Sequence, residues 1–213
     1  MTTTRRIQIL FGLVPTLLVT FLPLRTWGIA LKWGGLWGGE APFWALVVIL
    51  LFYIAVIERR PFSSIGFRMP GVWDLVLAIV TGVLMVVGIV VIYSLVFPFF
   101  HLQLPAGAMN KILHTPFWYR FFLVTRAAVS EEILFRGYPM ERIRELTGNR
   151  WLAALLSWAA FTFAHLAGWG AAQLIVAGFG GALLTALYLW RRNLWANMIA
   201  HWIADGAGFL LPR

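Results

Sequence analysis

The run from Leu75 to Phe97 carries no charged side chain and is apolar almost throughout. It exceeds the ~20 residues that a helix needs to cross the hydrocarbon core of a bilayer. Composition extends this constraint to the rest of the chain. Of 213 residues, 61% are hydrophobic and 12% are charged, and the charged share is about half that of soluble domains. A soluble domain of this length cannot hide so much apolar surface. The reading is an all-α, polytopic integral membrane protein whose solvent is the lipid bilayer.

Six further spans are expected: Ile7–Leu24, Pro42–Ile57, a helix from Pro116 to about Leu146, Trp151–Leu166, Ala171–Trp190 and Leu194–Leu211. The fourth of the seven differs in carrying charge: Arg120, Arg126, Glu131, Glu132 and Arg136, then Glu141, Arg142, Arg144 and Glu145, the last group emerging into water. Seven spans, or about seven or eight, are expected in one bundle. Ile7–Leu24 follows Arg5 and Arg6 as a signal peptide would, but no small-x-small site follows promptly, so an uncleaved anchor is expected. Trp27, Trp44 and Trp73 lie near span ends, as in an interfacial aromatic belt. Trp33 to Trp37, with its glycines, suits an interfacial or re-entrant piece. Pro98–Thr115, with His101 and His114, reads as a surface loop in preference to a lid, since exposed histidines are usually solvated. A single membrane domain is expected, with residues 1–115 enclosing a site and residues 116–213 supplying it.

The net charge of +9 suggests nucleic acid at first sight. The basic residues instead flank the apolar runs, where they set orientation, and no nucleic-acid partner is expected. With the N-terminus in the cytoplasm, that side receives Arg5, Arg6, Arg59, Arg60, Arg68, Arg142, Arg144, Arg150, Arg191 and Arg192. The far side receives only Arg25, Lys32, Lys111, Arg120 and Arg213. Arginine far outnumbers lysine, a pattern of GC-rich genomes that points to a bacterial cytoplasmic membrane. The absence of cysteine excludes disulfides, thiolate metal sites and a Cys nucleophile.

Ionisable groups inside a span are expensive and mark functional sites by default. Here they are Glu131, Glu132 and Arg136 in the fourth helix, His165 in the fifth, and His201 and Asp205 in the seventh, with Arg126 as a weaker member. Glu132 and Arg136 are four apart and share a helix face, as do His201 and Asp205. Glu131 is rotated about 100° from Glu132 and faces a different partner. An antiparallel hairpin hinged at Gly148 brings Glu131 and His165 to one level. A carboxylate and two histidines in a dry cleft can activate water, move a proton to a leaving amine and donate to a developing oxyanion. That set suffices for amide hydrolysis without a covalent intermediate, a cofactor or a metal.

Three motifs resemble a known family. Glu131-Glu132-Ile133-Leu134-Phe135-Arg136 resembles the EExxxR motif of the CPBP (Abi) family, which includes the type II CAAX prenyl endopeptidases. Phe161-Thr162-Phe163-Ala164-His165 resembles its FxxxH motif, and His201 to Asp205 its HxxxN or HxxxD motif. The resemblance covers roughly Arg120 to Leu211. It implies an intramembrane glutamate-dependent endopeptidase acting on a peptide or membrane-anchored protein. By position, Glu131 would activate water and His165 would assist. His201, with residue 205, would form the oxyanion site, supported by Glu132 and Arg136. The best-understood members carry Asn at the last position. An ionised Asp205 cannot donate to an oxyanion, so it is either protonated or acts by orienting His201. The resemblance does not fix the substrate or its prenylation, and the sequence carries no signal of oligomeric state.

Three alternatives remain open at this level. Glu131, His165 and His201 offer a His₂Glu set to zinc, although no HExxH occurs. Carboxylates and histidines in spans also serve transport, although no internal repeat is visible. The third is a non-catalytic membrane binding or immunity protein.

Overall fold

The computed structural model describes residues 1–18, 38–103 and 108–211, and the regular elements among them are all helical. Helix α1 spans Thr3–Leu18 and α2 spans Ala41–Phe52, which continues through a π turn at Tyr53–Ile57. Helix α3, Val72–Val91, continues through a second π turn at Ile92–Val96 and a last turn at Phe97–Phe99. The short α4 is Ala108–Leu113. Helix α5, Phe117–Glu131, passes through a third π turn, Glu132–Gly137, into α6, Tyr138–Thr147. Then follow α7, Arg150–Ala164; α8, Leu166–Trp169; α9, Gln173–Arg191; and α10, Leu194–Phe209.

Among the described residues, three helical stretches are long and apolar enough to cross a membrane: Val72–Phe99, Arg150–Trp169 and Gln173–Arg191. Ala41–Ile57 is apolar but shorter. The described part of the first expected span is α1, and its remainder lies outside the described residues, as do Arg25, Trp27, Lys32, Trp33 to Trp37 and Arg213. The expected loop at Pro98–Thr115 contains α4, whose Ile112 is buried against Tyr119 and Leu123.

The fourth expected span departs most from a regular helix. Pro139 has no N–H to give the carbonyl of Phe135. The Ser157 hydroxyl of α7 donates to that carbonyl instead. The π turn ends two residues before Pro139, as the one at Ile92–Val96 ends two before Pro98. Such turns concentrate at functional sites, and this one contains Glu132 and Arg136.

Two hairpin turns share one design. Gly148 takes a left-handed conformation (φ 72°) and Asn149 caps α7, its side chain accepting from the N–H of Trp151 and Leu152 at 2.9 and 3.0 Å. At the second turn Arg192 takes φ 47° and Asn193 accepts from the N–H of Ala196 at 3.3 Å. A left-handed arginine is strained; bidentate pairing with Glu141 offsets the cost.

At this end the charged residues neutralise one another. Glu145 receives Arg5 at 2.9 Å and Arg60 at 2.9 Å, while buried Arg142 grips buried Glu58. Burial pushes the Glu145 carboxyl up, but the hydrogen bond from Arg5 and the charges of Arg5, Arg60 and Arg142 outweigh it and hold the carboxyl below its ordinary 4.5. A depressed folded pKa gives stability that is present above the unfolded value and lost as pH falls through the folded one. Thermal stability is therefore expected to decline below pH 4.5, and Glu145→Gln should flatten that decline. Denaturation followed across the acid range checks it.

Helix α10 organises the rest. Its Ala196, Ala200 and Ala204, four apart, pack on Ala78 and Met85 of α3. A Cβ at Gly82 would lie 2.8 Å from Ile203 and 3.0 Å from the Ala200 carbonyl, so glycine sets this approach, as small residues do between membrane helices. The adjacent stripe of α10, Asn197, His201 and Asp205, is thereby turned toward α5 and its π turn.

Candidate active site

The π turn places Glu132 in the centre of the bundle. Its side chain and that of Arg136 are both fully buried. Arg136 Nη1 donates to Glu132 Oε1 at 2.9 Å, as the four-residue spacing predicts. His201 Nδ1 meets the same oxygen at 2.8 Å, and Asn197 Nδ2 donates to Oε2 at 3.1 Å. Three donors on one buried carboxylate satisfy a charge that burial alone would not tolerate.

Arg136 is held from its other side. Its guanidinium lies 3.8 Å from the Phe161 ring centroid, a cation–π stack, and Nη2 points at the Gly181 carbonyl at 3.4 Å. A Cβ at Gly181 would stand 2.8 Å from Phe161, so that glycine admits the ring. Phe161 also packs against His165 with centroids 4.7 Å apart, and against His201 at 6.1 Å. The FxxxH phenylalanine is thus the surface on which the motif side chains rest.

The two histidines present different faces. His165 Nδ1 lies 2.8 Å from the Phe161 carbonyl. A carbonyl only accepts, so Nδ1 carries a proton, and in the neutral ring Nε2 is the acceptor. His201 has a carboxylate oxygen at each nitrogen: Glu132 at Nδ1, and Asp205 Oδ2 at 3.5 Å from Nε2. The second distance is an ion-pair separation, longer than a formed hydrogen bond. Asp205 is within charge range of Glu131, His165 and Arg126 as well as His201.

Glu131 differs from its neighbour. It lies at the last residue of α5, its side chain is 16% exposed, and its partner is Arg126 Nη1 at 3.2 Å. Arg126 Nε in turn reaches Glu40 Oε2 at 2.7 Å, and Tyr119 donates to Glu40 Oε1 at 2.9 Å. A cavity of about 310 Å³ between α3, α9 and α10 has Asp205 on its wall, with Tyr93, Trp169 and Phe209.

All seven side chains singled out in the sequence, Arg126 included, therefore converge on one region. Glu132 directly contacts both Arg136 and His201, Asp205 lies 3.5 Å from His201, His165 packs on the same Phe161 ring, and Glu131 adjoins Glu132 in the chain and pairs with Arg126. Among the described residues, no three His, Asp or Glu side chains are grouped to hold a metal ion. Sequence reasoning missed Asn197 and Glu40. Asn197 precedes His201 by four residues, and that spacing was a usable signal for a shared face. Glu40 stands alone ahead of the second apolar run, and nothing local pointed to Arg126.

Residues 113–207 match the family model of Rce1-like proteins, described as type II CAAX prenyl endopeptidase Rce1-like. The matched stretch contains all three motifs, in agreement with the resemblance read from them, and the family is one of proteases. No curated protein and no solved structure matches the chain.

Proposed function

We propose that this chain, whose residues 113–207 match the Rce1-like endopeptidases, is an intramembrane endopeptidase that hydrolyses a peptide bond with water activated by Glu131. Its helices form a bundle of about seven spans in a bacterial cytoplasmic membrane, with the N-terminus and the charged end of α6 in the cytoplasm. The ion-paired end supports that orientation, since Arg5, Arg60, Arg142, Arg144 and Arg192 all meet acidic partners there.

The carrying observation is the inequality of the two glutamates. Glu132 is fully buried and bound by three donors, whereas Glu131 retains exposure and one ion pair. Only Glu131 is free to meet water. Its carboxylate takes a proton as the water oxygen attacks the scissile carbonyl. The proton passes to the leaving nitrogen as the C–N bond breaks, directly or through His165 Nε2. His201 donates to the tetrahedral oxyanion. Its Nε2 stands 3.5 Å from Asp205, longer than a formed hydrogen bond, which leaves that N–H for the oxyanion while Asp205 flanks the ring. Glu132 and Arg136 fix His201 from the other side.

His165→Ala and His201→Ala should each lower turnover at least about a hundredfold, the range for losing an acid–base group or an oxyanion donor. Steady-state cleavage of labelled peptides by the purified protein in detergent tests this. Wild-type rates in both variants would remove the histidines from the mechanism. The substrate is a peptide or a membrane-anchored protein, and assaying prenylated beside unprenylated peptides asks which.

A further inference from the structure

We infer that Glu40, which lies outside the family-matched stretch, is a positioning residue of the reaction centre that acts on Glu131 through Arg126. The inference rests on the reading of Glu131 as the water-activating carboxylate.

Arg126 is buried, and its guanidinium lies within reach of several carboxylates. Nη1 pairs with Glu131 at 3.2 Å, and Asp205 is within charge range. Left to itself, a guanidinium between these two groups has no unique orientation. Glu40 and Phe43 supply one. Glu40, itself buried, takes Arg126 Nε at 2.7 Å. Phe43, on the first turn of α2, lies under the guanidinium with its centroid 4.3 Å from Cζ. Tyr119 fixes the other Glu40 oxygen at 2.9 Å. A hydrogen bond at Nε and a ring under the plane together determine where Nη1 points, and it points at Glu131. The start of α2 thus reaches the catalytic carboxylate across a single arginine. Among the described residues Arg126 is the ion-pair partner of Glu131, so the aim of Glu131 depends on that arginine's aim.

Kinetics separates Glu40 from a merely structural acid. A positioning residue lost from one side of a reacting group lowers kcat and leaves KM unchanged. Glu40→Gln is expected to lower kcat by about tenfold to a hundredfold, the penalty of misplacing a reacting group. Phe43→Leu, which leaves every charge in place, should lower kcat in the same sense. Wild-type kcat in Glu40→Gln, or a raised KM with unchanged kcat, would overturn the inference.

A companion measurement needs no turnover. Glu40→Gln and Glu131→Gln are made singly and together, and thermal denaturation is followed in detergent. Each single variant leaves Arg126 one carboxylate partner, while the double removes both, so the double's fall in Tm should exceed the sum of the single falls. Shifts that simply add, or fall short of addition, would overturn the link. This result stands even if the chain cleaves nothing, in which case only the proposed function fails.

Discussion

Glu131→Gln is expected to abolish peptide hydrolysis while leaving the fold intact. The side chain keeps its size, and its amide oxygen can still accept from Arg126 Nη1, which stands 3.2 Å away in the native protein. It loses the capacity to take a proton from water. Because Glu131 is only partly buried, the change strands no fully desolvated charge, and Glu40 still neutralises Arg126. Turnover and stability therefore separate. Cleavage should fall to background, while the melting temperature and helical signal stay near those of the native protein. The same substitution at Glu132 differs in kind, because it withdraws the carboxylate that Arg136, His201 and Asn197 all address.

Arg136→Ala is expected to cost stability first and activity as a consequence. The pair it belongs to is completely buried. Breaking a buried ion pair by removing one partner costs about 3–5 kcal/mol, because the other charge stays behind. Glu132 would retain His201 and Asn197, which soften the loss without replacing a full positive charge. The stack on Phe161 goes too, which loosens the ring against which His165 and His201 rest. A marked fall in thermal stability should accompany the loss of turnover. Glu132→Gln combined with Arg136→Met removes both charges and should recover part of the lost stability without recovering activity. If the double variant were less stable than Arg136→Ala, the stranded charge would not be the cause.

Much of the site was legible because it follows from helix periodicity. Spacings of four gave the Glu132–Arg136 pair and the His201–Asp205 face, and the hinge at Gly148 gave the hairpin. The π turn was not legible as such. Its signal was Pro139, which deprives Phe135 of a backbone donor, but the acceptor's new partner is Ser157 on another helix. A regular helix was the simplest reading without that contact. The engagement of Glu132 by His201 likewise depends on α10 being turned by its alanine stripe against α3. Glu40 was illegible for the same reason, since its partner is 86 residues away and only the assembled bundle brings them together.

One assay distinguishes a glutamate from a bound metal as the activator of the water. Purified protein in detergent is offered labelled peptides and membrane-anchored substrates before and after treatment with a chelator, beside Glu131→Gln. Cleavage is expected to survive the chelator and to vanish in the variant. Cleavage lost to the chelator and restored by zinc, or cleavage that persists in Glu131→Gln, would contradict it.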